Sequence, residues 1–392
     1  MVDRDRSAFG VFWVFLRLGV TCFGGPVAHI GYFRRAFVDQ RAWLSPEDFA
    51  GLVGLCQFLP GPGSSQLGFC LGRRRAGWPG GVAAFLGFTL PSFLLMVLAA
   101  HFVRQFGHMG RVALALHGLQ LAAVAVVAQA VWRMAADCCP DTPRRALALL
   151  AAAILGYLPD TSGQIIVLVT GAVIGYLALQ MPPGTLAAKR AGWRAHRVAL
   201  AGGGVFLLLL VLCFMAPPTG VLALGAAFFR AGALVFGGGH VVLPLLRDAV
   251  VVPGWVSPRL FLDGYGLAQA LPGPLFAVAG FLGAVARQGP GGVAGASLAL
   301  VAIFTPGLLL VACVLPYWAG LQARPAVGAM MRGVNAAVVG LLGAAFINLL
   351  TLSSVRGVWD LPVMGVAVLL LTLGRVRPVF VVMFCAAAGM AM

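Results

Sequence analysis

Two arginines lie inside stretches of sequence that are otherwise apolar, and both are suited to bind an anion. Arg17 lies in VFWVFLRLGVTCF and Arg230 lies in LGAAFFRAGALVF, each six residues before a Phe-Gly-Gly sequence. A charge inside a membrane costs about 2.5–3.5 kcal/mol on insertion scales, so it usually marks a functional site. The planar guanidinium can donate paired hydrogen bonds to a tetrahedral oxyanion. The alternative is a structural arginine that reaches the membrane interface or caps helix carbonyls.

A Gly/Pro break inside apolar sequence also occurs twice. Residues 57–62 read QFLPGP and residues 269–274 read QALPGP. Proline lacks an N–H group and glycine permits positive φ, so each break ends a helix and frees backbone groups. Unwound backbone at membrane depth is tolerated only where protein buries it or where it lines a wet cavity. The alternative is that the breaks only let helices pack closely, but their repetition favours a binding function.

The first break is followed by polar residues, GSSQ at 63–66, whereas the second is followed by LFAV at 275–278. A helix that begins at the first of these offers free N–H groups and two hydroxyls, which suit an anion. The two sites are therefore predicted to differ, the first being the more polar. The predicted oxyanion site contains Arg17, Arg230 and the residues of the breaks, namely Gln57, Pro60, Gly61, Pro62, Gly63, Ser64, Ser65, Gln269, Pro272, Gly273 and Pro274.

Composition identifies the environment of these residues as a membrane. Hydrophobic residues make up 61% of the 392 residues and charged residues only 10%, with a mean hydropathy of +0.97. Soluble domains carry roughly 25% charged residues. Long apolar runs, such as 112–131, 198–214 and 298–315, are typical of bilayer-spanning helices. The sequence predicts an all-α polytopic membrane protein in the lipid bilayer, with Gly/Pro-broken helices and roughly 10–13 spans.

The net charge of +16 does not indicate a nucleic-acid partner, because the basic residues punctuate the chain between apolar segments. That pattern follows the positive-inside rule for cytoplasmic loops. The eight cysteines show no metal spacing, so neither a metal, a cofactor nor a disulfide framework is expected. Of the eleven acidic residues only Asp263 is predicted to be internal, which favours an anion over a cation as substrate. His29 and His240 are candidates for a proton relay, with plain hydrogen bonding as the alternative.

The chain is an internal duplication. FLRLGVTCFGG at 15–25 aligns with FFRAGALVFGG at 228–238, and WLSPEDF at 43–49 aligns with WVSPRLF at 255–261. Repeats with broken segments in corresponding positions indicate a transporter whose substrate binds between its halves. We predict an N-terminal repeat at 1–188, a basic linker at 189–197 and a C-terminal repeat at 198–392. A higher arginine content around the first break favours inverted repeats.

The sequences FGGP at 23–26, WLSPEDF at 43–49 and QFLPGP at 57–62, with their counterparts FGGG, WVSPRLF and QALPGP, resemble the chromate ion transporter (CHR) family. The match covers nearly the whole chain and resembles the long, two-domain form. The resemblance implies a multi-pass protein of the bacterial inner membrane that exports chromate and confers resistance, driven by the membrane potential or the proton motive force. It adds Gly24, Gly25, Pro26, Gly237 and Gly238 to the predicted site. The two halves differ at one position of this motif, where Gly239 corresponds to Pro26. The contribution of the second turn to binding is therefore in doubt.

Four alternatives to chromate export remain open at the level of sequence. The only lysine, Lys189, is not part of a phosphate-binding loop, so the chain is predicted to carry no ATPase. Transport would then depend on ion gradients or the membrane potential, and an inside-negative potential favours export of a dianion. A sulfate-like general oxyanion carrier is the main competitor, because sulfate and chromate share shape and charge. An enzyme acting on lipid phosphates would need an acid or base beside Ser64 or Ser65, and a non-enzymatic transporter is preferred. A non-transporting scaffold and a channel-like passive route are the weaker alternatives, and assembly as a homodimer is left open.

Overall fold

The computed structural model describes residues 6–179, 193–322, 324–351, 357–373 and 376–391. Within these ranges the secondary structure is helical, with no β-strand. Five described helices are long and apolar enough to cross a membrane, and six shorter apolar helices accompany them. These findings confirm the predicted all-α polytopic membrane protein with broken helices. The number of spans and the orientation of the halves stay predictions.

The first half consists of seven helices, and one further helix follows it. They are α1 (Ala8–Thr21), α2 (Gly25–Arg34) with a π-helical turn (Arg35–Gln40), α3 (Pro46–Phe58), α4 (Gly63–Phe106), α5 (Gly110–Cys138), α6 (Thr142–Tyr157), α7 (Thr161–Ala178) and the connecting α8 (Trp193–Phe214). Residues 189–192 of the predicted linker lie outside the described residues, and α8 begins inside the rest of it. The predicted domain boundaries stay predictions.

The second half repeats the order of the first. It contains α9 (Val221–Leu234), a 3-10 turn (Gly239–Val241), α10 (Val242–Leu246), a π-helical turn (Arg247–Val251), α11 (Pro258–Ala270), a 3-10 turn (Leu275–Ala277), α12 (Val278–Val285), α13 (Gly292–Val314), a 3-10 turn (Leu315–Tyr317), α14 (Trp318–Gln322), α15 (Pro325–Thr351), α16 (Asp360–Thr372) and α17 (Pro378–Ala391). Equivalent helices even share their caps, since Ser45 caps α3 and Ser257 caps α11, each followed by a proline.

Each half contains a helical hairpin formed by close contact of glycines. Helix α4 is interrupted at Ala76 and Gly77, which leave helical geometry, and its two arms fold against each other. A Cβ atom on Gly72 would lie 2.3 Å from the carbonyl oxygen of Gly80, and a Cβ atom on Gly283 equally close, 2.3 Å, to that of Gly295. Only glycine allows backbones to approach this closely. Both halves therefore contain the same kind of hairpin, in which two helical arms pack closely at a pair of glycines.

The two halves interlock through their last helices. Helix α5 of the first half packs against α16 and α17, whereas α15 of the second half packs against α6 and α7. Close glycine contacts occur at both places, with Gly118 of α5 against Cys385 and Gly333 of α15 against Gly171. Because each half completes the packing of the other, the described helices form one body around a core that lies between the halves.

Candidate functional site

The two breaks and the two Phe-Gly-Gly turns meet at one place, here called the central crossing (residues 59–62, 271–274, 23–25 and 236–238). The Gly61 N–H donates to the carbonyl oxygen of Val235 at 2.7 Å, and the Gly273 N–H donates to that of Cys22 at 2.9 Å. Val235 and Cys22 directly precede the two turns. The break of each half is thus bonded to the turn of the other half, in two equivalent contacts.

The central crossing needs glycine for both conformation and space. Gly61 has φ +121° and Gly273 has φ +98°, values that favour glycine. A Cβ atom on Gly61 would lie 2.8 Å from the Cα of Gly307, and one on Gly273 would lie 2.8 Å from the Oγ of Ser92. Gly307 and Ser92 each follow a proline inside a long helix, α13 and α4. Each break therefore packs against the residue that follows a proline in a long helix of the other half.

Gln66 stabilises the first break. Its side chain is fully buried, and its Nε2 donates to the carbonyl oxygens of Pro60 and Gly307, both at 2.9 Å. Its Oε1 and the Oγ of Ser65 have no hydrogen-bond partner among the described residues. Helix α4 begins at Gly63, as the sequence predicts, with Ser64 and Ser65 buried just inside its start. The second break is followed by the apolar residues 275–278 and lacks this polar set, and a difference between the two breaks in anion binding stays a prediction.

The asymmetry between Pro26 and Gly239 has a steric reason. A Cβ atom on Gly239 would lie 2.7 Å from the Cγ of Pro26, closer than real contacts allow. The two turns therefore touch each other at equivalent positions, and a proline on one side requires a glycine on the other. The departure from symmetry that the sequence shows is a packing requirement of the crossing.

Open space lies beside the second glycine of each turn. A Cβ atom on Gly25 or on Gly238 would meet no described atom within 4 Å. Gly24 with φ +99° and Gly237 with φ +76° form the bends that precede them. Of the prolines in the breaks, Pro62, Pro272 and Pro274 are buried, whereas Pro60 is half-buried.

The two glutamines that precede the breaks differ in their surroundings. Gln57 is exposed, whereas Gln269 is buried with an Nε2 that has no partner among the described residues. Gln269 lies beside the hydroxyl of Tyr265, and this hydroxyl is 3.0 Å from the Nδ1 of His240. A chain of polar groups thus leads from the second turn to the second break. Sequence analysis missed Tyr265, although at an offset of 212 it stands where the first half has Val53.

His29, the other candidate for a proton relay, is fully buried. Its ring contacts Phe88 edge-on at 5.3 Å between centroids, and neither ring nitrogen has a hydrogen bond of good geometry among the described residues. The backbone of Cys22, which accepts the Gly273 bond, lies nearby. His29 therefore lies next to one of the two equivalent backbone contacts, and His240 lies next to the second turn.

The arginines lie apart from these contacts. Arg17 is exposed on α1. Arg230 donates to the carbonyl oxygen of Cys213 at the end of α8, lies 5.9 Å from the ring centroid of Phe214, and lines a cavity of about 540 Å³ with Arg247 and Asp248. The observed contact of Arg230 is the structural one, a cap on helix carbonyls. Binding of the oxyanion by Arg17 and Arg230 stays a prediction.

A second cavity, of about 340 Å³, lies between the segment that precedes α3 and the first arm of α4, and arginine side chains line it. Arg6, Arg74 and Arg75 surround it, with Arg74 in an ion pair to Asp48 and Arg75 5.1 Å from the ring centroid of Trp43. This cavity carries more positive than negative charge, so it would attract anions.

Replacing Tyr265 with phenylalanine is expected to raise the KM for the transported oxyanion roughly fivefold while leaving the maximal rate nearly unchanged. The variant would lose the hydrogen bond between the Tyr265 hydroxyl and His240, worth about 1 kcal/mol, and the polar group beside Gln269, whereas the buried ring would keep its packing. Saturation kinetics in membrane vesicles measure both constants. Tyr317→Phe is the matched control, because Tyr317 makes the same kind of bond to a histidine, His196, far from the crossing. An unchanged KM in Tyr265→Phe would remove the hydroxyl from the site.

Comparison with known proteins follows the same division into halves. A family model described as "Chromate transporter" matches residues 9–176 and 222–390, and α8 lies between these two regions. The chain is 33% identical to a chromate transport protein of Pseudomonas aeruginosa over 357 residues, 88% of this chain and 82% of that protein. It is 27% identical to a chromate transport protein of Cupriavidus metallidurans, covering 89% and 83% of the two chains.

A shorter relative matches only part of the chain. An uncharacterized transporter of Bacillus subtilis is 26% identical over 131 residues, which is 32% of this chain but 71% of that protein. A relative of this size corresponds to one half. No solved structure matches the chain.

Proposed function

Because the chain belongs to the chromate transporter family, we propose that it exports chromate from the bacterial cytoplasm across the inner membrane and so confers chromate resistance. The family is one of transporters, and no chemical step on the substrate is required. The oxyanion binds at the central crossing, where both halves present backbone groups released by proline and glycine.

The observation that carries the proposal is the pair of equivalent backbone bonds, Gly61 to Val235 and Gly273 to Cys22. A transporter must expose one site alternately to the two sides of the membrane, and two related halves around a fixed site can do this. The crossing joins the halves at equivalent points and has open space beside Gly25 and Gly238. Free N–H groups at the start of α4, with the Ser65 hydroxyl, favour an anion there.

The membrane potential favours outward movement of a dianion. Moving one charge across 100 mV is worth about 2.3 kcal/mol, so a dianion leaving an inside-negative cell gains roughly 4.6 kcal/mol per 100 mV by that figure. Uptake would cost as much. The potential, alone or with a proton gradient, therefore suffices to drive export by a chain that has no nucleotide-binding loop.

The test is chromate flux into everted membrane vesicles at an imposed inside-positive potential, with excess sulfate as competitor. We expect potential-driven accumulation of chromate that sulfate barely lowers. Equal competition by sulfate would replace chromate export with a general oxyanion carrier, and absence of chromate flux would overturn the proposal. Vesicles from cells without the protein give the background.

A further inference from the structure

A cluster of buried polar side chains lies between the halves, away from the central crossing. His117 and Gln120 lie on α5, Asp263 on α11 and Asp360 at the start of α16; all four are buried, with exposures of 8%, 2%, 1% and 2%. The Nε2 of His117 is 2.9 Å from the Oδ1 of Asp360, and the Nε2 of Gln120 donates to the Oδ1 of Asp263 at 2.7 Å. We call these four residues the α5 cluster.

Burial of three ionisable groups inside the protein needs a reason beyond packing. Ionisable side chains inside membrane helices are rare, face the protein interior and mark ion or proton pathways. The cluster also joins the halves, because α5 belongs to the first half and both carboxylates to the second. Sequence analysis predicts Asp263 alone among the acidic residues to be internal. Its burial is confirmed, but the prediction is wrong for Asp360, which is buried at the start of α16 as well.

We propose that the α5 cluster binds the proton that couples the proton gradient to chromate movement. This inference rests on the proposed function and names the coupling ion. A proton enters the cluster from the outside, leaves to the cytoplasm, and chromate moves the opposite way. The cluster is a second site, distinct from the oxyanion site, so the two ligands do not compete for the same groups.

The pair of Gln120 and Asp263 can accommodate both protonation states. An amide has two N–H donors and a carbonyl acceptor. When Asp263 is ionised, the amide donates to it; when Asp263 is protonated, the amide can turn and accept from it. The His117–Asp360 pair has the same property, because imidazole nitrogens either donate or accept. The Gly357 N–H donates to the Oδ2 of Asp360 at 3.0 Å and fixes this carboxylate.

Helix α11 connects the cluster to the central crossing. Asp263 lies six residues before Gln269, about 9 Å along the helix axis, and Gln269 precedes the second break. Helices α5 and α11 touch closely, since a Cβ atom on Gly266 would lie 2.6 Å from the carbonyl oxygen of Leu119. A hydrogen bond to a carboxylate is roughly twice as strong as a neutral one. Protonation of Asp263 would therefore loosen α11 on α5 and free the second break to move.

Other ionisable groups on the described helices packed against α11 and α16 do not replace the cluster. Arg259 at the start of α11 donates to the carbonyl oxygen of Gly107 at 3.2 Å, and α12 contains no ionisable residue. Three further ionisable groups on these helices are buried, namely Tyr265, Cys70 and Cys385. Arg247 and Asp248 pair with each other, and the other groups are half-buried or exposed, namely Arg73, Arg74, Arg75, His101, Arg104, Arg111, Arg133, Asp137 and Cys138.

The experiment uses the full chain in proteoliposomes and compares two assays. The first is exchange of labelled for unlabelled chromate at equal concentrations, which needs no net proton movement. The second is net chromate flux driven by an imposed pH gradient at zero potential, with an internal dye that reports proton movement. We expect the wild type to pass both. Asp263→Asn should keep exchange within about twofold and lose at least tenfold of the gradient-driven flux and its proton signal.

Controls and contrary outcomes separate this inference from the proposed function. Asp39→Asn, at an exposed carboxylate, should behave as the wild type, and His117→Gln, which keeps a hydrogen-bonding group without a charge, should behave as Asp263→Asn. Absence of chromate exchange in the wild type would overturn the proposed function. Exchange in the wild type without any response to the pH gradient would overturn the proton site alone, even if Asp263→Asn fails to fold. Undiminished proton-driven flux in both Asp263→Asn and His117→Gln would also overturn the proton site and leave the proposed function standing.

Discussion

Gly61→Leu is expected to lower chromate flux at least 30-fold, although the protein still inserts into the membrane. A non-glycine residue at this positive φ costs about 1–2 kcal/mol, and overpacking of a tight contact costs about 1–3 kcal/mol more. The added side chain would collide with the Cα of Gly307, 2.8 Å from the new Cβ. The first break would then separate from Val235 and lose one of the two equivalent bonds. Flux in everted vesicles, normalised to the amount of inserted protein, measures the effect.

Gly254→Leu is the matched control for this substitution. Gly254 also has positive φ, +76°, but a Cβ atom there meets no described atom within 4 Å. Backbone strain is thus similar in the two variants, and only Gly61→Leu crowds the crossing. If Gly61→Leu transports as well as Gly254→Leu, the first break is structural only.

Gly239→Ala is expected to lower flux about tenfold, and the second substitution Pro26→Ala should restore most of it. The single change places a methyl group 2.7 Å from the Cγ of Pro26, an overpacking of about 1–3 kcal/mol. Alanine at position 26 has no Cγ and removes the collision. A double-mutant cycle in the vesicle assay measures this coupling, because residues in direct contact show non-additive effects.

The energetic coupling between Gly239→Ala and Pro26→Ala shows whether the loss of flux comes from the collision between the two turns or from general damage to the protein. Pro26→Ala alone should cost little, since it removes atoms without adding any. If the double variant is no better than Gly239→Ala, the loss comes from the second turn itself and the two turns do not depend on each other.

Local features of the fold were predictable from sequence because they depend on residues close together in the chain. Ser45 before a proline caps α3, and the proline and glycine at 60–62 end that helix. In the second half Ser257 caps α11 in the same way. The internal duplication was also predictable, because aligning the two halves requires only matching residues in the same order. Helix starts, breaks and the duplication therefore follow from local physics.

Contacts between the halves were not predictable in this way. His117 and Asp360 are 243 residues apart, and no local pattern says that α5 packs on α16. Arg17 and Arg230 have nearly the same sequence context, yet the first is exposed and the second caps α8. Gln57 and Gln269 diverge similarly. Side-chain surroundings are set by which helices pack together, whereas repetition in the sequence reveals only that two positions are equivalent.

The contact between Pro26 and Gly239 bears on how such a protein can evolve. In an assembly of two identical half-length chains, both positions would carry the same residue. Two prolines would collide, and two glycines would leave both turns without the rigidity that proline gives. Joining the halves in one gene lets the two positions diverge into a complementary pair. Two half-length chains could meet the same requirement only as a heterodimer, with proline in one and glycine in the other.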